Sequence, residues 1–376
     1  MASKQSFIEK FRRVTASGQY LPEIDGLRFI AIASVVLGMH LTTYYYQQIV
    51  HRAPDTDTIF FKVLYEGGYG VSLFFMISGF ILALPFAKQY FLQQKKVSLR
   101  QYFLRRLTRI EPAYIVSLVL YFLLRLWILP SEQFQQAAPH FLASLFYVHG
   151  LVYDAHSTIN GVAWTLEVEV QFYLLAPLLC TLFLIKNVYV RRVLFIALII
   201  AGTIYSYQQQ YEVGNILNKG CYFLTGMLLA DCFINAKRTY DTVGFTFIGM
   251  ACFITALFIP AYYVHVYFCL LKIGLTAIFF FFAIQNRLLK KGLSVRPIAI
   301  IGGMCYSIYL MHTGVLGLMG YWIAPIHFVS ISWLNAVLHL LLAVILIMGV
   351  SGIFYWLIEK PTMYRNWYKR KKKIEQ

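Results

Sequence analysis

Acidic residues are scarce in this chain. Only 16 of its 376 residues are aspartate or glutamate, and charged residues of both signs make up 13%, against about a quarter in soluble domains. A soluble chain of this length needs far more polar surface to cover its core, which excludes the ordinary globular classes. The six cysteines (Cys180, Cys221, Cys232, Cys252, Cys269 and Cys305) form no C-x-x-C and lie in or beside apolar runs. They read as small buried side chains rather than a disulfide or zinc framework. H-E-x-x-H, Walker-type and G-x-G-x-x-G segments are all missing, so no metal site and no glycine-rich phosphate loop is expected. The polar N-terminal segment lacks the basic-then-apolar order of a signal peptide, and the first apolar run is expected to be retained. No soluble domain, internal repeat or low-complexity segment stands out.

What the chain has instead is apolar length. Fifty-nine per cent is hydrophobic, with 31 Phe and 28 Tyr, and the mean hydropathy is +0.63. About 30 Å of hydrocarbon at about 1.5 Å per residue requires runs of some twenty apolar residues. Ten such runs are predicted, near 27–46, 68–86, 112–130, 164–184, 193–208, 216–235, 242–260, 263–285, 297–321 and 332–358. Residues 139–152 are too short and too polar to cross and predict a surface or re-entrant segment. The expected fold is an all-α, polytopic membrane bundle of about ten helices.

The net charge of +17 would suggest nucleic acid in a soluble protein. Here the basic clusters flank apolar runs, so no nucleic-acid partner is expected. Of the 33 Lys and Arg residues, 27 fall on alternate loops and the two tails, with seven in 87–111 and seven from Lys360 to Lys373. The opposite loops hold only Arg52 and Lys62, and the outer loop 131–163 holds none. That asymmetry predicts both termini in the cytoplasm of a multi-pass protein of the cell (inner or plasma) membrane. The expected organisation is a cytoplasmic tail (1–20), a membrane domain (21–361) and a basic cytoplasmic tail (362–376).

Ionisable residues inside such runs are expensive, and each is a functional candidate. In "RFIAIASVVLGMH" (28–40), Arg28 can snorkel as an interfacial anchor, whereas His40 lies deeper and is either a satisfied core histidine or a working one. In "GGYGVSLFFMISGF" (67–80), the glycines, Ser78 and Gly79 allow close approach to a helix or a ligand. In "RRLTRIEP" (105–112), Arg106 and Arg109 share a helix face. They suit a positive-inside cluster and a phosphate-rich ligand equally. In "WTLEVEVQFYLLAP" (164–177), Glu167 and Glu169 are two apart and point to different faces; one facing the bundle needs a His or Arg partner. His312, in "CYSIYLMH", is mid-span, while His149 and His156 are expected to face solvent. Two classes fit these features: a membrane enzyme taking an anionic cofactor from the cytoplasm, or a proton-coupled transporter or glycan-lipid flippase.

Six segments in order, "LPEIDGLRFIAI" leading to His40, "GGYGVSLFFMISGFIL", "RRLTRIEPAY", "WTLEVEVQFYLLAPLL", "YSIYLMH" and "EKP" (359–361), resemble the integral-membrane acyltransferase family 3. That family includes O-acetyltransferases of O-antigen, exopolysaccharide and other surface glycans, and the chain looks like its stand-alone membrane form. The resemblance implies transfer of an acyl group, usually acetyl, from acyl-CoA as donor co-substrate to a glycan hydroxyl, with no tightly bound cofactor. It implies His40 and Glu169 as catalytic residues, with His40 the general base and Glu169 orienting it. An acyl-histidine intermediate is left open. Arg28, Arg106, Arg109, Ser78 and Gly79 fall on motif positions for the CoA donor. Trp164, Tyr309 and His312 are further candidates. Glycan acceptor and membrane lipid are the other expected partners; oligomeric state is unreadable.

One departure is sharp. The family commonly has ten residues between the first-span arginine and histidine, and this chain has eleven. Eleven steps at about 100° return to within about 20° of one face, but twelve leave the pair about 120° apart. A π-bulge near Gly38 would absorb the extra residue. A regular α-helix with His40 facing lipid would defeat the base assignment. Glu111 also stands where the family more often has an aromatic or apolar residue.

Overall fold

The computed structural model describes residues 21–50, 64, 66–128, 134–209, 214–236, 240–259 and 265–364. The N-terminal tail (1–20), most of the basic C-terminal tail, and Arg52, Lys62, Lys237 and Arg238 lie outside these residues. Among the described residues every regular element is helical, and the chain is a polytopic helical membrane bundle.

Among the described residues, seven helices are long and apolar enough to span: α1 (Pro22–Ile49), α2 (Glu66–Phe91), α3 (Leu99–Ile128), α6 (Trp164–Leu184), α7 (Val188–Gln208), α10 (Val266–Gln285) and α14 (Ser332–Thr362). Between α3 and α6 lie the short α4 (Phe134–Leu145) and α5 (His149–Tyr153), where a surface or re-entrant segment is predicted. The helices α8 (Ile216–Ile234) and α9 (Val243–Phe258) occupy the sixth and seventh predicted runs, and α9 is a shorter apolar helix. The short α11 (Arg287–Leu293) leads into α12 (Arg296–Gly303) and α13 (Cys305–Trp322). These last two are bent by 69° and together form an eighth long apolar unit. Each of the ten predicted runs therefore has a helical counterpart.

The bundle's core is aromatic. Phe223 of α8 stacks on Phe75 of α2 at 4.7 Å and on Phe172 of α6 at 4.0 Å. Rings at such distances add about 0.5–1.5 kcal/mol beyond their burial. Exposed Leu, Ile, Val and Phe side chains, such as Leu123, Leu174, Val193, Phe247 and Ile345, form the outward faces, as lipid rather than water requires.

Two polar clamps fix the parts that carry the site. Lys272 of α10, 1% exposed, pairs with Glu66 at 2.5 Å. It also donates to the Ile259 carbonyl at 2.9 Å and lies 4.5 Å from the Tyr69 ring centre. This pins the first turn of α2, where Gly67 meets α1: a Cβ there would land on the Ser34 carbonyl oxygen and 3.0 Å from the Gly38 Cα. Only glycine permits that approach. At the bend, Glu359 of α14 accepts from the Ser307 N–H at 3.1 Å and from its hydroxyl at 2.5 Å. Ser307 lies in the first turn of α13, whose N–H groups have no partner within the helix. A carboxylate from another helix caps it.

Candidate active site

The predicted distortion in α1 is present. Residues Ser34–His40 form a π-helix between α-helical stretches Pro22–Ala33 and Leu41–Tyr44. The wider turn absorbs the twelfth residue, and His40 faces protein. Its Nδ1 lies 2.6 Å from Nε2 of His312 on α13. His312 is fully buried, and its Nδ1 lies 3.0 and 2.8 Å from the carbonyl oxygens of Ile308 and Tyr309. A carbonyl only accepts, so His312 Nδ1 carries the proton and its Nε2 is an acceptor. His40 Nδ1–H donates to that acceptor, which leaves His40 Nε2 unprotonated. Protons are thus ordered along the pair by two backbone carbonyls.

Next to this pair lies a cavity of about 120 Å³. Its lining includes Arg28, Ser78, Arg106, Arg109, Glu169 and Tyr309, six predicted residues from five helices. The Ser78 hydroxyl donates to Glu169 Oε1 at 2.6 Å. Glu169 therefore stands with the arginines, and the side chain that holds His40 is His312. The reason is positional: Glu169 shares its cavity with α2 and α3, whereas His40 meets the bundle at α13. Tyr309 links the two halves. It lines the cavity, accepts from the Thr165 hydroxyl at 3.0 Å, and its ring lies 5.7 Å from that of His312.

The arginines differ in their engagements. Arg28 donates to Asp25 at 2.5 Å, one helical turn away. Arg106 lies 6.0 and 5.8 Å from the ring centres of Tyr102 and Tyr173. Its buried Nε makes no hydrogen bond, so it is a donor that lacks an acceptor inside the protein. An orphaned guanidinium N–H in a cavity with two more arginines suits a phosphate-bearing ligand.

Four predicted residues stand outside the cavity lining: His40, His312, Gly79 and Trp164. Gly79 faces α8, where a Cβ would strike the Phe223 carbonyl; it permits helix contact. Trp164 packs on Phe75 at 6.3 Å and His156 at 5.5 Å. His149, expected in solvent, is fully buried. It lies between His140 at 2.9 Å and the Ala155 carbonyl at 3.0 Å, because α4 and α5 fold back onto the start of α6. Burial lowers its pKa below the usual 6.5. Asp25 was missed, although its place three before Arg28 is the i,i+3 signal for a pair. Tyr102, Tyr173 and Thr165 carried no sequence signal.

A helical membrane bundle with a polar, arginine-lined cavity beside a buried histidine pair defines a class of polytopic membrane protein with an internal site. The sequence places it more narrowly: residues 21–356 match the family described as acyltransferase domain, acyltransferase family 3, and the chain belongs to it. It is similar to the O-acetyltransferase OatA of Staphylococcus aureus (strain NCTC 8325 / PS 47), at 28% identity over 338 residues. That match covers 80% of this chain and 51% of that protein. It is also similar to the peptidoglycan O-acetyltransferase OatA of Listeria monocytogenes, 28% identical over 189 residues, covering 47% of this chain and 27% of that protein. The chain thus spans about half or less of the length of these curated relatives. No solved structure matches it.

Proposed function

We propose that this protein is a membrane O-acyltransferase that moves an acyl group, acetyl in the first instance, from acyl-CoA to a hydroxyl of an exported or surface glycan. The observation that carries this reading is the ordered histidine pair beside the arginine cavity. In the reaction His40 Nε2 takes the proton of the acceptor hydroxyl as its oxygen attacks the thioester carbonyl. The tetrahedral oxyanion then collapses, the C–S bond breaks, and the imidazolium proton goes to the departing thiolate. His312 fixes which nitrogen of His40 is free and stabilises the imidazolium through its acceptor Nε2. Arg106 and Arg109, with Arg28 partly committed to Asp25, would hold the donor's phosphates on the cytoplasmic side. Glu169 and Ser78, bonded to each other, line the same cavity. The family membership and the O-acetyltransferase names of its relatives support acyl transfer to a glycan.

The test is acetyl-CoA cleavage and glycan acetylation in membranes carrying the full chain. Both activities should be lost in His40→Ala, by about 10²–10⁴-fold, and kept in His265→Ala, an exposed histidine at the start of α10. Substrate flux across the membrane without acyl transfer would refute the enzyme reading and favour a transporter.

A further inference from the structure

Helix α6 separates two cavities. Thr165, Leu166, Glu169 and Tyr173 line the arginine cavity, and Glu167 and Gln171, four residues apart on another face, line a second. This second cavity, about 180 Å³, is completed by Gly150, Leu151, Asp154, Gly214 and Asn215. Glu167 is 3% exposed. Its Oε2 accepts from the Gly150 N–H at 2.9 Å, the His149 N–H also points to this carboxyl, and its buried Oε1 has no donor within hydrogen-bond geometry. A buried carboxylate oxygen without a donor is costly, by about 1–3 kcal/mol or more, and the side chain that carries it lines this cavity.

The other polar groups narrow the ligand. Gln171 Oε1 is taken by the Ile216 N–H at 2.9 Å. Asn215 Oδ1 is taken by the N–H groups of Leu217 and Asn218 at 2.9 and 3.1 Å. Each amide therefore has its NH₂ group left to offer. The cavity presents two carboxylates as acceptors and two amides as donors, with no lysine or arginine among its lining residues. An anion meets two carboxylates there, and a bare ammonium leaves both amides unmatched. No group of three metal-ligating side chains occurs among the described residues. A hydroxyl both donates and accepts, and a polyol ring carries several.

We propose that this second cavity is a subsite for a neutral sugar residue of the acceptor glycan, with Glu167 and Asp154 accepting from its hydroxyls. The assignment rests on the acyltransferase reading for its role in the reaction, since it places the acceptor chain at the start of α6 while the donor lies across that helix.

The test uses the full chain in nanodiscs, with N-acetylglucosamine and maltose as probes and spermidine as a cationic control. Apparent Kd values come from saturation-transfer NMR titrations. The unaltered chain should bind at least one sugar, and Glu167→Gln, which replaces an acceptor by a donor at equal size, should weaken it about tenfold or more. Asp154→Asn, on an exposed loop position, should weaken it without lowering Tm and covers the case in which Glu167→Gln fails to fold. Acetyl-CoA binding should be unchanged in both. Sugar binding that neither variant alters overturns the proposal, as does a site that takes spermidine in place of sugar. If sugar binding depends on Glu167 while no acetyl-CoA is ever cleaved, the subsite stands and the acyltransferase reading falls.

Discussion

His312 tests the histidine pair most directly. It is fully buried, and its Nε2 accepts the His40 Nδ1–H at 2.6 Å. His312→Ala removes that acceptor, leaves a half-buried N–H unpaired and frees the imidazole to carry its proton on either nitrogen. An unsatisfied buried donor costs about 1–3 kcal/mol. With about 1.4 kcal/mol per tenfold, kcat should fall by about 5- to 150-fold. That loss is smaller than for His40→Ala, because the base itself remains. His312→Gln can place an amide oxygen near the lost Nε2 and should restore much of the rate. Residues that act as a unit are not additive, so His40→Ala/His312→Ala should be no slower than His40→Ala alone. The assay is thiol release from acetyl-CoA by the full chain in proteoliposomes, with kcat and KM separated. Unchanged kcat in His312→Ala, or losses that multiply in the double variant, would refute the proton ordering deduced from the two carbonyls.

Arg106→Gln should raise KM for acetyl-CoA about tenfold or more with a lesser change in kcat, since the loss falls on ground-state binding; an unchanged KM removes this arginine from the donor site. Gly67→Ala forces α1 and α2 apart at the π-helix, where the added Cβ meets the Ser34 carbonyl. It should cost about 1–3 kcal/mol, read as a lower Tm in detergent together with reduced activity, and an unaffected Tm argues against the close crossing. The buried His149 is held neutral by its lowered pKa, while in an unfolded segment it titrates near 6.5. The unfolded form thus binds more protons below that pH, so local stability is full above about 6.5 and declines as pH falls. Hydrogen exchange across 134–163 should quicken between about pH 7 and 5, and His149→Gln should flatten that dependence.

Periodicity and charge in the sequence were enough to find the helices. Apolar length near that of a bilayer has one solution for the backbone, a hydrogen-bonded helix, so all ten predicted runs recur as helical segments. The spacing of Arg28 and His40 even located the π-helix, because one surplus residue must go somewhere on a helix whose two ends are both fixed. Among the cavity residues, Arg28, Ser78 and Glu169 were legible as polar groups in apolar runs, Arg106 and Arg109 as a basic pair on one helix face, and Tyr309 only through the family resemblance. Their partners were not. That His40 is held by His312, 272 residues on, rather than by Glu169 depends on which helices are neighbours, and single-sequence periodicity does not encode that. The same holds for Glu359 capping α13 and for His149 inside the fold of α4 and α5. Gly79 shows the limit from the other side: its motif position suggested a ligand, and the crossing with α8 assigned it to packing. Local physics in the sequence decides which segments cross and which side chains are out of place there; only tertiary packing decides which of them meet.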